Sequence, residues 1–198
     1  MTHYYSEKQE GKLKLFEIEI AVKGNKYNLF SSDGIFSKKE LDIGSRVLIE
    51  NCILNDNDFV LDIGCGYGAV GITLAKFNNI RVLMTDINER AVFLSNTNIK
   101  NHRLKNAEAR KSNLYENVSE EFDVILSNPP QSAGKEVCFK IIEGAHTHLK
   151  NDGSFQLVAR HNKGGETLEK KMKEVFGNVE RIGKGSGFKV YMSRKIID

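Results

Sequence analysis

Residues 60–71 read VLDIGCGYGAVG, an apolar run that ends in glycines at every second position, Gly64, Gly66 and Gly68. Phe59 to Ile63 has the length and composition of a buried strand, and Val70 to Phe77 that of a helix. Glycines between a strand and a helix permit a sharp turn. They also let a ligand approach backbone that a Cβ would shield, beside the unpaired N–H groups of the helix start. Working outward, Ile80 to Thr85 is a second strand, and Asn88 can cap a helix with Ala91, Val92, Ser95 and Ile99 on one face. Then follow a strand at Ala107–Lys111, the apolar strand Phe122–Leu126, a helix from Lys135 to Leu149, a strand at Ser154–Ala159 and a helix from Glu166 to Phe176. Val179–Ile182 and Phe188–Ser193 flank the turn GKGSG as an antiparallel pair. The alternation predicts an α/β fold: a doubly wound, mostly parallel, seven-stranded Rossmann-like sheet with an antiparallel C-terminal strand pair.

Upstream, Phe16, Ile18, Ile20 and Val22 alternate with polar residues, and Gly24-Asn25 leads into a second run, Lys26 to Phe30, so a small N-terminal β-hairpin is expected. Glu40 to Ile53 then spaces Leu41, Val47, Leu48 and Cys52 as a helix does. No break in composition follows. Residues 1–54 are expected to pack as an extension on a catalytic core at 55–198, the whole forming one domain.

The 198 residues are 40% hydrophobic and 28% charged, and the two prolines are adjacent, so no Pro-rich linker divides the chain. No apolar run approaches the roughly 20 residues of a membrane span, and MTHYYSEKQEGK lacks a signal-peptide core, so a cytoplasmic location is expected. Cys52, Cys65 and Cys138 form no CxxC, which argues against zinc and disulfides; no metal is expected. The net charge of +3 is compatible with RNA without predicting it. Lysines gather near the start (Lys8, Lys12, Lys14, Lys23, Lys26, Lys38, Lys39) and near the end (Lys184, Lys189, with Arg194 and Lys195). Solvated strand faces account for them as well as phosphate contacts do.

The glycine spacing narrows the ligand without settling it. Ala69 in the third position of GxGxxG is tolerated by the dinucleotide fingerprint, so NAD stays open, whereas the missing GxxxxGK[ST] argues against a nucleoside triphosphatase. Asp62 can bond loop N–H groups or a ligand. Asp86 stands where an acid accepts hydrogen bonds from both ribose hydroxyls of an adenosine; capping beside Asn88 is its structural alternative. Cys65 lies inside the loop, but no activating base is apparent for it.

The strand at Phe122–Leu126 runs into Ser127-Asn128-Pro129-Pro130. Two prolines stiffen the chain and remove two backbone donors, leaving the Asn128 side-chain carbonyl and the Pro129 carbonyl as acceptors. Two acceptors suit an exocyclic amine: holding both hydrogens favours a pyramidal nitrogen whose lone pair can face an electrophile. The alternative is a rigid turn that only caps a strand.

With these residues in place, the chain resembles the class I S-adenosylmethionine (SAM)-dependent methyltransferases, in particular the small-domain family that includes the RsmC-like ribosomal RNA guanine-N2 methyltransferases. The resemblance covers nearly the whole chain. It is carried by SDGIFSKKELDIGSRVLIE, VLDIGCGYGAVGITLA, the acid of MTDIN, SNLYENV and SNPPQSAGKE. It implies SAM as cofactor, with Asp62, Gly64, Gly66 and Gly68 around its amino-acid part, Asp86 and Ile87 at the ribose, and Asn113 and Leu114 bordering the adenine. Asn128 would grip the target amine, stiffened by Pro129 and Pro130, and Phe36 would close over cofactor and substrate. The implied reaction is methyl transfer to guanine N2 of ribosomal RNA, with the RNA or a ribosomal subunit as partner.

The chain departs from the family pattern in two places. Asn113 stands where the family usually has aspartate, keeping a carbonyl acceptor without charge. Gln131 follows the two prolines where many amino-methyltransferases carry a stacking aromatic. That weakens adenine-N6 or protein-glutamine methylation and shifts stacking elsewhere, with Phe36 the candidate; Gln131 remains among the expected substrate contacts. Larger relatives carry a further N-terminal domain, so RNA recognition here falls to the hairpin, the basic residues or the second subunit of a homodimer. The rival readings are methylation of another amine, an NAD-dependent oxidoreductase that leaves Asn-Pro-Pro without a role, and a catalytically weak RNA-binding module that retains SAM affinity.

Overall fold

Leu15–Val22 (β1) and Asn25–Ser32 (β2) pair antiparallel in a sheet of their own. The two-residue turn is Lys23-Gly24, one residue earlier than the Gly24-Asn25 expected, and Asn25 already pairs with Val22. Both turn residues have positive φ, 48° and 76°, the geometry that matches the twist of the flanking strands. Ile18, Ile20, Val22 and Leu29 are buried.

The computed structural model describes residues 14–33, 40–129 and 134–196. Ile43–Asn51 (α1) is shorter than the expected Glu40–Ile53, because Asp42 stops it at its N-terminus by capping the Ser45 N–H. Phe59–Ile63 (β3), Ala69–Phe77 (α2), Arg81–Asp86 (β4), Glu89–Asn101 (α3), Ala107–Lys111 (β5) and Phe122–Ser127 (β6) follow within a residue or two of expectation. Gly134–His148 (α4), Leu149–Arg160 (β7), Glu166–Phe176 (α5), Glu180–Gly185 (β8) and Phe188–Arg194 (β9) complete the chain. Strand β7 starts earlier than the predicted Ser154, through an irregular register against β6. A π-type turn, His161–Gly165, joins β7 to α5, where the sequence pattern carries no sign of it. The buried face of α3 is Ala91, Leu94, Ser95 and Asn98, rotated from the expected stripe so that Val92 and Ile99 are only half-buried. The rotation is explained by Asn98, which pins the hairpin: its Oδ1 accepts the Phe30 N–H at 2.7 Å and its Nδ2 donates to the Phe30 carbonyl at 2.9 Å.

The seven strands lie in the order β5-β4-β3-β6-β7-β9-β8, parallel except for β9, which runs antiparallel to both neighbours. Successive strand residues feed opposite layers: Val60, Val82 and Val124 join the core under α1, α2, α3 and the hairpin, whereas Leu61, Leu83 and Ile125 join the core under α4 and α5. This two-sided burial is the doubly wound architecture expected. The winding reverses at β3, which has β4 on one side and β6 on the other. In such a sheet the ligand crevice opens at the carboxyl ends beside the reversal. Both the glycine loop and Asn128 emerge there, Ile63 and Ser127 being register partners. Among the described residues no helix is long and apolar enough to cross a membrane.

Candidate active site

The glycine loop is built from backbone bonds and two buried carboxyls. Gly64, Gly66 and Gly68 have φ of 75°, 59° and 89°, a region other residues enter only with strain. The Gly64 and Cys65 N–H groups donate to the Thr85 carbonyl at 2.8 and 3.0 Å, tying the loop to β4. Gly68 precedes α2 and has no side chain to cap it; Asp62 does so instead, its Oδ2 accepting the Gly71 N–H at 2.9 Å. Asp86 is 3% exposed, its Oδ2 accepting the Gly66 N–H and its Oδ1 the Asn88 N–H, each at 2.9 Å. Its first role is therefore to brace the loop. Burial drives the Asp62 carboxyl up to about 7; the Gly71 bond opposes the rise and the Asp86 charge adds to it.

Asp62, Gly64, Gly66, Tyr67, Val70 and Asn128 face one cleft. A Cβ on Gly64 would meet nothing within 4 Å, so the glycine leaves open floor. The Tyr67 hydroxyl is buried without a hydrogen-bond partner among the described residues. Two buried acids that repel each other and an orphan hydroxyl fit a cationic ligand rich in polar groups, as SAM is, with its ammonium and sulfonium charges. The sequence alone assigns Tyr67 no role, because it occupies a spacer position between glycines.

Asn128 is oriented from an unexpected quarter. Its Nδ2 donates to Asp42 Oδ1 at 3.0 Å and to Ser45 Oγ at 3.1 Å, and the same Asp42 oxygen accepts the Ser45 N–H at 2.9 Å. A carboxylate only accepts, so the amide NH2 must face Asp42 and Oδ1 is left as the acceptor. The N-terminus of α1 comes this close because residue 44 is glycine: a Cβ there would lie 2.9 Å from Asn128 Oδ1 and 3.1 Å from Phe188 Cε1. Asp42, Gly44 and Ser45 belong to the LDIGS stretch that carries the resemblance. The Asp-x-x-Ser cap is the signal in the sequence that could single them out.

The remaining expectations divide. Pro129 is buried behind Asn128, and Ile87 is half-exposed just beyond β4. Asn113 is exposed past the end of β5, its Nδ2 donating to Glu116 Oε1 at 2.8 Å, and Leu114 has φ of 52°. The Ser112 N–H donates to the Asp86 carbonyl at 3.0 Å, which holds this segment to the end of β4. Phe36, Pro130 and Gln131 lie outside the described residues. Cys65 is buried, with its thiol raised well above the ordinary value by burial first, then by the charges of Asp86 and Asp62. That is the reverse of an activated nucleophile. Beside Asn128 opens a cavity of about 610 Å³, walled by Ile43, Pro129, Cys138, Arg160, Leu168 and Phe188.

A family model described as "Methyltransferase small domain" matches residues 26–192. The chain belongs to the methyltransferase small domain family. Within it, the chain is 36% identical to the uncharacterized protein YbxB of Bacillus subtilis over 98% of each chain. It is 33% identical to the ribosomal RNA small subunit methyltransferase C of Erwinia tasmaniensis, over 82% of this chain and 48% of that one. It thus spans about half the length of that relative. The fold is shared, at a TM-score of 0.78 and 24% identity, with the T. thermophilus 16S rRNA N2 G1207 methyltransferase (RsmC) in complex with AdoMet and guanosine, over 94% of this chain and 51% of that one. A methyltransferase from Pyrococcus furiosus gives a TM-score of 0.66 at 27% identity, over 73% and 78% of the two chains. This member of the small domain family is a SAM-dependent methyltransferase. The oxidoreductase alternative is set aside.

Proposed function

We propose that the chain transfers the methyl group of SAM to an exocyclic amine, guanine N2 of ribosomal RNA. The observation that carries this reading is the Asn128 carboxamide, locked by Asp42 and Ser45 so that its carbonyl is the free acceptor beside the cleft. SAM supplies the electrophilic methyl group. Asp62, Tyr67 and the glycine loop would hold its charged amino-acid end, Asp86 and Ile87 its ribose, and Asn113 and Leu114 would border its adenine. Asn128 Oδ1 and the Pro129 carbonyl would accept hydrogen bonds from the two amine N–H groups and aim the nitrogen lone pair. One of those protons passes to solvent once the methyl group is bonded to nitrogen, so the chain contributes positioning and electrostatics with no covalent intermediate. A stacked base must first leave its helix, at a cost of a few kcal/mol, so an unpaired or flipped guanine is the fitting target. The names of the relatives support the RNA partner. A cytoplasmic location and, where RNA contacts need it, a homodimer belong to the same proposal.

The test is transfer of labelled methyl groups to ribosomal RNA and isolated subunits, followed by nucleoside analysis. Label recovered as N2-methylguanosine supports the reading. Label confined to adenosine, to protein or to small amines overturns it.

A further inference from the structure

We propose that Phe188, backed by Arg160, is the stacking wall for the target base beside Asn128, an inference that rests on the purine-amine reading above. The chain has no tryptophan, and the residue that follows the two prolines, Gln131, has no ring, so a planar base needs its flat partner elsewhere. Phe188 opens β9 and pairs in register with Arg160 at the end of β7. The Arg160 guanidinium carbon lies over the Phe188 ring, 4.9 Å from its centroid. Both line the cavity that Asn128 borders. The ring edge and the Asn128 amide also converge on one point, the missing Cβ of Gly44. An exocyclic amine lies in the plane of its base, so an acceptor that holds the amine needs a planar surface alongside. Aromatic rings and guanidinium planes are the two surfaces proteins use for unstacked bases, at about 1–3 kcal/mol per base.

Charge points to a nucleotide within a strand as the occupant. Lys163 lines the same cavity, and Phe188 also lines a groove that holds Lys184, Lys189 and His161. Lys163 and Lys184 are exposed, placed to meet phosphates flanking the base.

Two measurements test the wall, and one of them needs no turnover. The first follows 2-aminopurine riboside, a fluorescent base bearing an amine on the same ring carbon, with protein saturated by S-adenosylhomocysteine. The wild type and Phe188→Tyr should quench the emission strongly, and Phe188→Leu should leave it nearly at the free value. The second is steady-state methylation of RNA. Phe188→Leu should lower kcat/KM at least tenfold, Phe188→Tyr should restore most of it, and SAM affinity should stay within twofold throughout. Emission indifferent to Phe188, or kcat/KM within twofold of wild type in Phe188→Leu, overturns the wall. Phe188-dependent quenching without any guanine methylation keeps the wall and removes the proposed function. Guanine methylation with quenching indifferent to Phe188 does the reverse.

Discussion

The Asn128 amide donates to the Asp42 carboxylate at 3.0 Å across 86 residues of chain, and this bond decides which end of the amide is left as an acceptor at the cleft. Without it the two ends of the carboxamide are interchangeable in shape. The N-cap of a short helix thereby serves twice, because the oxygen that starts α1 also fixes the acceptor at the end of β6.

Asn128→Ala should lower turnover by about 10²-fold or more, in the range found when one preorganised hydrogen-bonding group is removed from a transition state. SAM affinity should change little. Asp42→Asn, which can still cap α1 but can present either end of its amide to Asn128, should lower kcat with a small change in thermal midpoint. Calorimetry with SAM beside methyl-transfer kinetics checks both; unchanged kcat in Asn128→Ala would sink the mechanism.

Gly44→Ala separates packing from catalysis. Alanine improves helix propensity by up to about 1 kcal/mol, yet its Cβ would stand 2.9 Å from Asn128 Oδ1. The Cβ must push the Asn128 amide off its bonds to Asp42 and Ser45, so turnover should fall at least tenfold, while the lost bonds offset the gain in helix propensity and hold stability within about 1 kcal/mol of wild type. A variant as active as wild type would show that the position of Asn128 is not critical.

Asp86→Ala should weaken SAM binding and also stability, because the Gly66 and Asn88 N–H groups lose their acceptor. Each buried donor left unmet costs about 1–3 kcal/mol. Chemical denaturation and SAM titration read the two effects separately. Loss of stability with unchanged SAM affinity would assign Asp86 to the brace alone.

Asp62 should make SAM binding pH-dependent. Its folded carboxyl sits at about 7, above the ordinary 3.8, so the folded protein holds a proton that the unfolded chain has released. Its contribution to stability is thus fully present below pH ~4 and lost as the pH rises to about 7. A cationic ligand reverses the preference and favours the carboxylate. SAM affinity should therefore rise from pH 6 to 8 with release of up to one proton. Calorimetry in buffers of different ionisation enthalpy measures the proton, and Asp62→Asn should abolish it.

Local patterns carried most of the fold. The glycine turn, the buried runs of β3 and β6 and the cap at Asn88 are near-neighbour effects, readable wherever a residue's partners lie within a helical turn or a strand repeat. The glycine loop was legible for the same reason. A distant partner accounts for the rotation of α3, where Asn98 turned the helix toward the hairpin, whereas the late start of α1 at its Asp42 cap is a local effect that the sequence carries in Asp-x-x-Ser. The sequence by itself determined the doubly wound sheet, the glycine cradle and the presence of Asn-Pro-Pro at a strand end. Only the tertiary structure decided that Asp42, Gly44 and Ser45 orient Asn128, that Asp86 braces the loop, and that Phe188 and Arg160 wall the neighbouring cavity. Those contacts join α1, β6 and β9 at one end of the sheet. Each is a hydrogen bond or packing distance between residues far apart in the chain, which no local periodicity encodes.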